Sequence, residues 1–327
     1  MVRVGPELLD DFPRFSLYNS PYAAHDEGCA IDLYPHEGDW REESERREAS
    51  ERGEASERRR EGDRRVGDGR TANGERETAA PSPVSGEVVT TRTVSAPAEE
   101  YAEPDDHLIV VDTGEYLARM LHVEPAVEPG DEIARGESLG EMIRSGFFAP
   151  WVDNHVHLGF RERDADPVRA SGSLPVELSP EVELAAVPWD GRGTVVAAGD
   201  TDAILDAPDH PAPGERFAGI AADAGGEATG IVDGGLPHYE GGGVVGIGDA
   251  EVEEGERESG ASVSLAGHRV GAVASRTVAW DDVTVLANGT PITGLSFCFA
   301  REALGAKLVC PEAEFAVGDE VAVRLIR

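Results

Sequence analysis

Val127-Glu128-Pro129-Gly130-Asp131-Glu132-Ile133-Ala134-Arg135-Gly136-Glu137-Ser138-Leu139-Gly140 is the stretch whose reading decides the fold. Pro129-Gly130-Asp131 and Arg135-Gly136-Glu137 are turn signals, and each is followed closely by an apolar residue, Ile133 or Leu139. Two such turns so close together leave no room for a helix and predict the short strands of a compact sheet. Upstream, His107-Leu108-Ile109-Val110-Val111-Asp112 is a short β-branched apolar run, the mark of a strand. Thr113-Gly114 turns the chain, and Tyr116 to Val123 returns as the second arm of a hairpin. Ser82-Pro83-Val84-Ser85-Gly86-Glu87-Val88-Val89 reads as a turn leading into a strand. Asn154 to Arg161 reads as another.

Composition divides the rest of the 327 residues. Residues 1–36 carry aromatics and read as ordered. From about Glu37 to about residue 80 the chain is Arg, Glu, Ser and Gly, with almost nothing apolar after Trp40, and is expected to be a disordered charged insertion. From about residue 164 to 327 short Val, Ala and Leu runs alternate with Gly, Asp and Pro turns, as in Thr194-Val195-Val196-Ala197 and Glu320-Val321-Ala322-Val323. That pattern predicts a second all-β domain. The expected architecture is two all-β domains, 1–163 and 164–327.

Acidic residues number 64 against 29 basic ones, for a formal net charge of −35, and Lys307 is the sole lysine. Molar salt screens charges to within about 3 Å, so a dense carboxylate surface is tolerated there and keeps the protein hydrated. The composition is therefore that expected of a salt-in halophile. Nucleic acid and membrane surfaces, both phosphate-bearing, are excluded as partners by repulsion. Three cysteines, Cys29, Cys298 and Cys310, are too few for a disulfide framework. The N-terminus has no apolar core of a leader and no apolar run of spanning length occurs, so a cytoplasmic location is expected.

The chemistry centres on His155-Val156-His157. On a strand, residues i and i+2 face the same way, so the two imidazoles project together. The segment from His107 to Arg161, with Leu121-His122-Val123, the Val127–Gly140 stretch and His155-Val156-His157-Leu158, resembles the catalytic domain of the lysostaphin and LytM-like zinc metallopeptidases, peptidase family M23. Pro83 to Val89 is similar to that family's first strand, and Ile31-Asp32-Leu33 to the strand carrying its metal-binding aspartate. The resemblance implies a compact antiparallel β-sheet peptidase-like domain of the duplicated hybrid motif type. It also implies zinc held by His25, Asp32 and His157, with His122 and His155 as catalytic histidines that position water and move its proton. The implied reaction is hydrolysis of an amide bond in a peptide or peptide-containing substrate by a metal-activated water.

Two departures are visible. His25 precedes Asp32 by seven residues where the family has four, and Gly159 stands where the family has glutamate. A second function class therefore stands beside the first, a peptidase-like domain that binds or scaffolds without catalysis. The Val127–Gly140 pattern also occurs in biotinyl and lipoyl carrier domains. Those need a lysine on a hairpin, and Lys307 follows Ala306 near the C-terminus in no such context.

Lowering salt from molar to about 0.1 M lengthens screening to about 10 Å. The melting temperature is expected to fall progressively over that range; one indifferent to salt would contradict the halophile reading.

Overall fold

The computed structural model describes residues 1–36, 79–225, 229–246 and 260–327. The charged insertion expected from about 37 to 80 lies outside the described residues up to 78. The last of it, from Ala79, is already in a strand. The described chain is all-β, as the turn spacing predicts, with two one-turn helical elements near the N-terminus, a 3-10 turn at Pro6–Leu8 and an α-helical turn at Ala23–Asp26.

The N-terminal half contributes β1 (Val2–Val4), β2 (Arg14–Ser16), α1 (Ala23–Asp26) and β3 (Ala30–Tyr34). After the insertion come β4 (Ala79–Pro81), β5 (Gly86–Ser95), β6 (Asp105–Asp112), β7 (Tyr116–Leu121) and β8 (Val123–Pro125). β9 (Glu132–Ile133), β10 (Ser138–Met142), β11 (Val156–Glu162) and β12 (Val176–Leu178) complete it. The main sheet runs β9-β5-β6-β7-β11-β3-β2, every neighbour antiparallel. A small sheet, β4-β10-β8, packs across one face. Between them lie Val88, Ile109, Met120, Leu139, Leu158 and Ile31, all fully or nearly fully buried. The turns at Gly130 and Gly136 do take positive φ, 98° and 78°, which lets the chain reverse on either side of β9.

The main sheet does not stop at β2. It continues through Phe299–Ala300, then Phe217–Asp223, then the parallel strand Leu184–Val187, all from the C-terminal half. The remaining C-terminal strands, from Arg192–Ala198 to Glu320–Ile326, form antiparallel sheets around a second core that includes Leu205, Val232, Leu236, Val285 and Leu308. The boundary expected at 163/164 falls later than the turn signals imply. β12 pairs in parallel with β1, Val2 opposite Val176, which ties the chain as far as Leu178 to the N-terminal half. This pairing joins residues more than 170 positions apart, so no local pattern announces it. The three cysteines are free. No helix among the described residues is long and apolar enough to cross a membrane.

Phe15 locks the halves together. It is fully buried, stacks on Phe299 at 4.6 Å between ring centroids and meets the edge of Phe217 at 4.8 Å. Phe15→Ala removes both contacts and leaves a cavity, so a loss of about 3–5 kcal/mol is expected in denaturant titrations run in molar salt.

Candidate metal centre

The register of β3 against β11 sets Asp32 directly opposite His157, and cross-strand partners share a face. β7 pairs on the other side of β11 with Leu121 opposite His157. Asp32, His157 and Leu121 therefore lie in one row on the face of the sheet away from the small β4-β10-β8 sheet. His155, two residues before His157, joins that face.

His25 arrives from a separate piece of chain. α1 is a single turn whose end is set by Gly28, in the left-handed region at φ 63° where a Cβ would meet the Tyr18 hydroxyl at 3.0 Å. The Cys29 amide donates back to the Ala24 carbonyl. That turn absorbs the extra residues between His25 and Asp32 and brings the imidazole back over β3. His25 Nε2 lies 3.1 Å from His157 Nδ1 and 3.2 Å from Asp32 Oδ1, and His157 Nδ1 lies 2.9 Å from Asp32 Oδ1. These three residues are a group able to hold a metal ion. Cys29 stays outside it, its thiol directed at the Glu27 carbonyl.

The donor set fits zinc. Ligands at the usual zinc–nitrogen and zinc–oxygen lengths around a tetrahedral ion stand about 3.3 Å apart. The observed triangle of 2.9, 3.1 and 3.2 Å is close to that spacing without an ion. The tautomer of His25 is also set correctly. Its Nδ1–H donates to the Leu17 carbonyl at 2.8 Å, which leaves the Nε2 lone pair for the centre.

His122 and His155 stand beside the triangle. Their ring centroids are 5.0 Å apart, and His122 lies 5.8 Å from the His157 ring. His122 is in the left-handed region at φ 72°, an uncommon conformation for a residue with a Cβ. Asp106 holds it there twice, accepting from its backbone N–H at 2.9 Å and from its ring Nδ1 at 2.5 Å. The Ser145 hydroxyl donates to the same carboxylate at 2.5 Å. His155 Nδ1–H donates to the Asp153 carbonyl at 2.9 Å, and its Nε2 lies 3.5 Å from Asp32 Oδ1. Both residues thus present an unencumbered Nε2 toward the site.

Electrostatics matches this layout. Burial alone would raise the Asp32 carboxyl, but His25, His155 and the His157 hydrogen bond hold it well below the ordinary range. Burial pushes His155 down to about 4 and lowers His157, so both are neutral near pH 7, the state in which imidazole binds metal. His25 is opposed by burial yet raised by Asp32, so a proton on it competes with any metal.

Residues that carried no role in the sequence hold the site from behind. Asp106, Ser145 and Asp153 lie outside any motif; the fold brings Asp106, with Ser145 behind it, to His122, while Asp153 meets His155 from two positions away. Asp153 accepts from Arg14 at 2.8 Å and lies 3.4 Å from the Lys307 ammonium. The sole lysine is therefore a partly buried buttress from the C-terminal half, also 3.3 Å from Asp202. Asp233 is buried too and accepts from the Ser16 hydroxyl and from the Leu17 and Tyr18 amides at 2.6, 2.6 and 3.2 Å. Burial pushes its carboxyl up to about 7 against those three donors. Asp233 fixes the segment whose Leu17 carbonyl orients His25.

The site opens into a cleft of about 370 Å³ whose walls include Tyr22, Phe147, Phe148, Val152 and Tyr239. That volume suits a small ligand or the end of a peptide.

The model described as "Domain of unknown function (DUF8155) N-terminal domain" matches residues 3–178, and the corresponding C-terminal domain model matches 185–326. The chain belongs to the DUF8155 family. No curated protein and no solved structure matches it. In this DUF8155 chain the five histidine and aspartate positions singled out from sequence, His25, Asp32, His122, His155 and His157, converge on one cleft. His238, outside the sequence-predicted set, is partly buried beside Tyr239, 4.6 Å between rings.

The Asp106–His122 pair supplies a pH test. Burial would raise Asp106, but the hydrogen bond and charge of His122 lower it to about 2. An unfolded aspartate titrates near ~3.9, so the pair stabilises the fold above that pH and the contribution is lost as pH falls through about 2. The melting-temperature gap between the wild type and Asp106→Asn is expected to narrow steadily from pH 5 to pH 2.

Proposed function

We propose that this DUF8155 chain is a zinc-dependent hydrolase of amide bonds acting on a peptide or peptide-containing substrate. The observation that carries the reading is the triangle of His25 Nε2, His157 Nδ1 and Asp32 Oδ1, with spacings of 2.9–3.2 Å, at the floor of a walled cleft. Support also comes from the resemblance of Leu121-His122-Val123 and His155-Val156-His157 to the lysostaphin and LytM-like peptidases.

His25, Asp32 and His157 would hold the metal, with the cleft side left for water and substrate. When bound, the ion supplies Lewis acidity, making water nucleophilic near neutral pH and drawing charge from the scissile carbonyl. The chain's own groups do the rest. His155, neutral near pH 7, accepts the proton of the attacking water at Nε2 while its Nδ1–H stays on the Asp153 carbonyl. In its imidazolium form His122, with Nδ1–H held by Asp106, would donate from Nε2 toward the oxygen on which negative charge develops. Phe147, Phe148 and Val152 exclude bulk water and strengthen these interactions. No serine, cysteine or lysine nucleophile is needed.

The alternative is a domain that binds without hydrolysing, and Gly159 in place of the family's glutamate favours it. Metal analysis by mass spectrometry on protein purified in molar salt without tag histidines tests the reading. About one zinc per chain is expected, lost in His25→Ala and His157→Ala. His155→Ala should keep the metal and lose activity toward peptide substrates. Equal metal loss in His155→Ala and His157→Ala would overturn the division of roles, and no metal after zinc addition would overturn the hydrolase.

A further inference from the structure

Arg119 lies on β7 directly opposite Gly159 on β11. Cross-strand partners share a face, so Arg119 projects on the same side as His157, one side-chain row away, about 6.6 Å along the strand. Both residues line the cleft. Among the described residues no carboxylate pairs with this guanidinium, and its buried Nε has no hydrogen-bond partner. Burial, together with the neighbouring Arg161, lowers it to about 10, with Asp166 acting in the opposite direction. Arg161 differs in kind, because it is tied down by the Ser171 and Arg169 carbonyls.

A half-buried cation with no carboxylate at ion-pair distance is costly, and the usual compensation is an anion brought by a ligand. The cross-strand position that could have carried an internal carboxylate is glycine. A Cβ there would meet only Ser173 Oγ at 3.5 Å and the Cys29 carbonyl at 3.7 Å, so the site has room for a side chain that is not there. In a chain of such acidity the missing counter-ion is conspicuous: 64 carboxylates, none of the described ones within salt-bridge distance of Arg119. Arginine presents a planar fork that grips a carboxylate through two parallel hydrogen bonds. The other cleft walls near it, Val94, Leu108, Leu121 and Val168, are apolar and offer no competing anion.

We infer that Arg119 is the specificity residue of the cleft, and that the substrate is an amide bearing a carboxylate on the residue next to the scissile bond. This rests on the metal-centre reading for the position of the scissile bond. The carboxylate could be supplied by a free C-terminus or by an acidic side chain. The shared chemistry is one anion within a residue's length of the carbonyl.

Isothermal titration of the full chain in molar potassium chloride, metal-free and zinc-loaded, tests it with three probes. N-benzoylglycine carries a terminal carboxylate, N-benzoylglycinamide carries none, and the α-amide of N-benzoylaspartic acid carries one only on its side chain. The wild type is expected to bind benzoylglycine at least about tenfold more tightly than the amide. Arg119→Gln should erase that difference while leaving zinc content and melting temperature unchanged, and Arg119→Lys should restore part of it. Binding of the aspartyl probe at the strength of benzoylglycine assigns the site to acidic side chains as well. Binding at the strength of the neutral amide restricts it to a free terminus. Equal affinity for acid and amide in the wild type, no binding of either, or discrimination that survives in Arg119→Gln would overturn the inference. Zinc measured on the same samples separates the two failures. Metal bound without discrimination sinks the role of Arg119, and discrimination without metal sinks the hydrolase.

Discussion

The pairing of β3 with β11, in the register that sets Asp32 opposite His157, is the constraint on which the rest of the site depends. A slip of one residue would turn Asp32 into the core and present Leu33 or Ile31 to the cleft. The register is held by burial. Ile31 and Leu33 on one strand, Val156 and Leu158 on the other, are fully buried on the opposite face. The polar face is thus specified by the apolar one. Two strands already locked for hydrophobic reasons carry an acid and a histidine into contact, at no further cost in backbone order.

Around that fixed pair, each remaining group is oriented by an oxygen that accepts its Nδ1 proton. Leu17 provides it for His25, Asp153 for His155 and Asp106 for His122. This common device leaves every Nε2 turned inward. Two of the three supports lead to the C-terminal half. Asp233 pins the Ser16–Tyr18 segment, and Lys307 holds the Asp153 carboxylate. Gly243 serves the same end, since a Cβ there would sit 2.1 Å from the Tyr18 ring. The C-terminal half is therefore part of the machinery that shapes the site, which accounts for a sheet that passes through both halves.

The interior runs against the character of the surface. Outside, the chain is crowded with carboxylates. Inside the cleft, the described acid is Asp32, already engaged by His25 and His157, and the cation without an ion-pair partner among the described residues is Arg119. An anionic ligand entering such a cleft would exchange long-range repulsion for one short charge-assisted contact in a poorly solvated place.

The local patterns determined a good deal. Turn chemistry at Gly130 and Gly136, alternation in the strands and the His-x-His pair marked an all-β chain and named five residues that do converge. Those signals are short-range, written by φ preferences and side-chain period. The sequence could not show how His25 spans seven residues to Asp32, because a one-turn helix ending at Gly28 is set by packing against Tyr18 and has no strong propensity of its own. Nor could it show Asp106, Ser145, Asp153, Asp233 and Lys307, whose partners lie from 16 to 217 positions away. The same holds for Arg119, which is an ordinary strand arginine until the fold sets it opposite Gly159 with no described carboxylate at ion-pair distance. Tertiary structure decided those, because a hydrogen bond or an unpaired charge is defined by what the folded chain brings within a few ångströms.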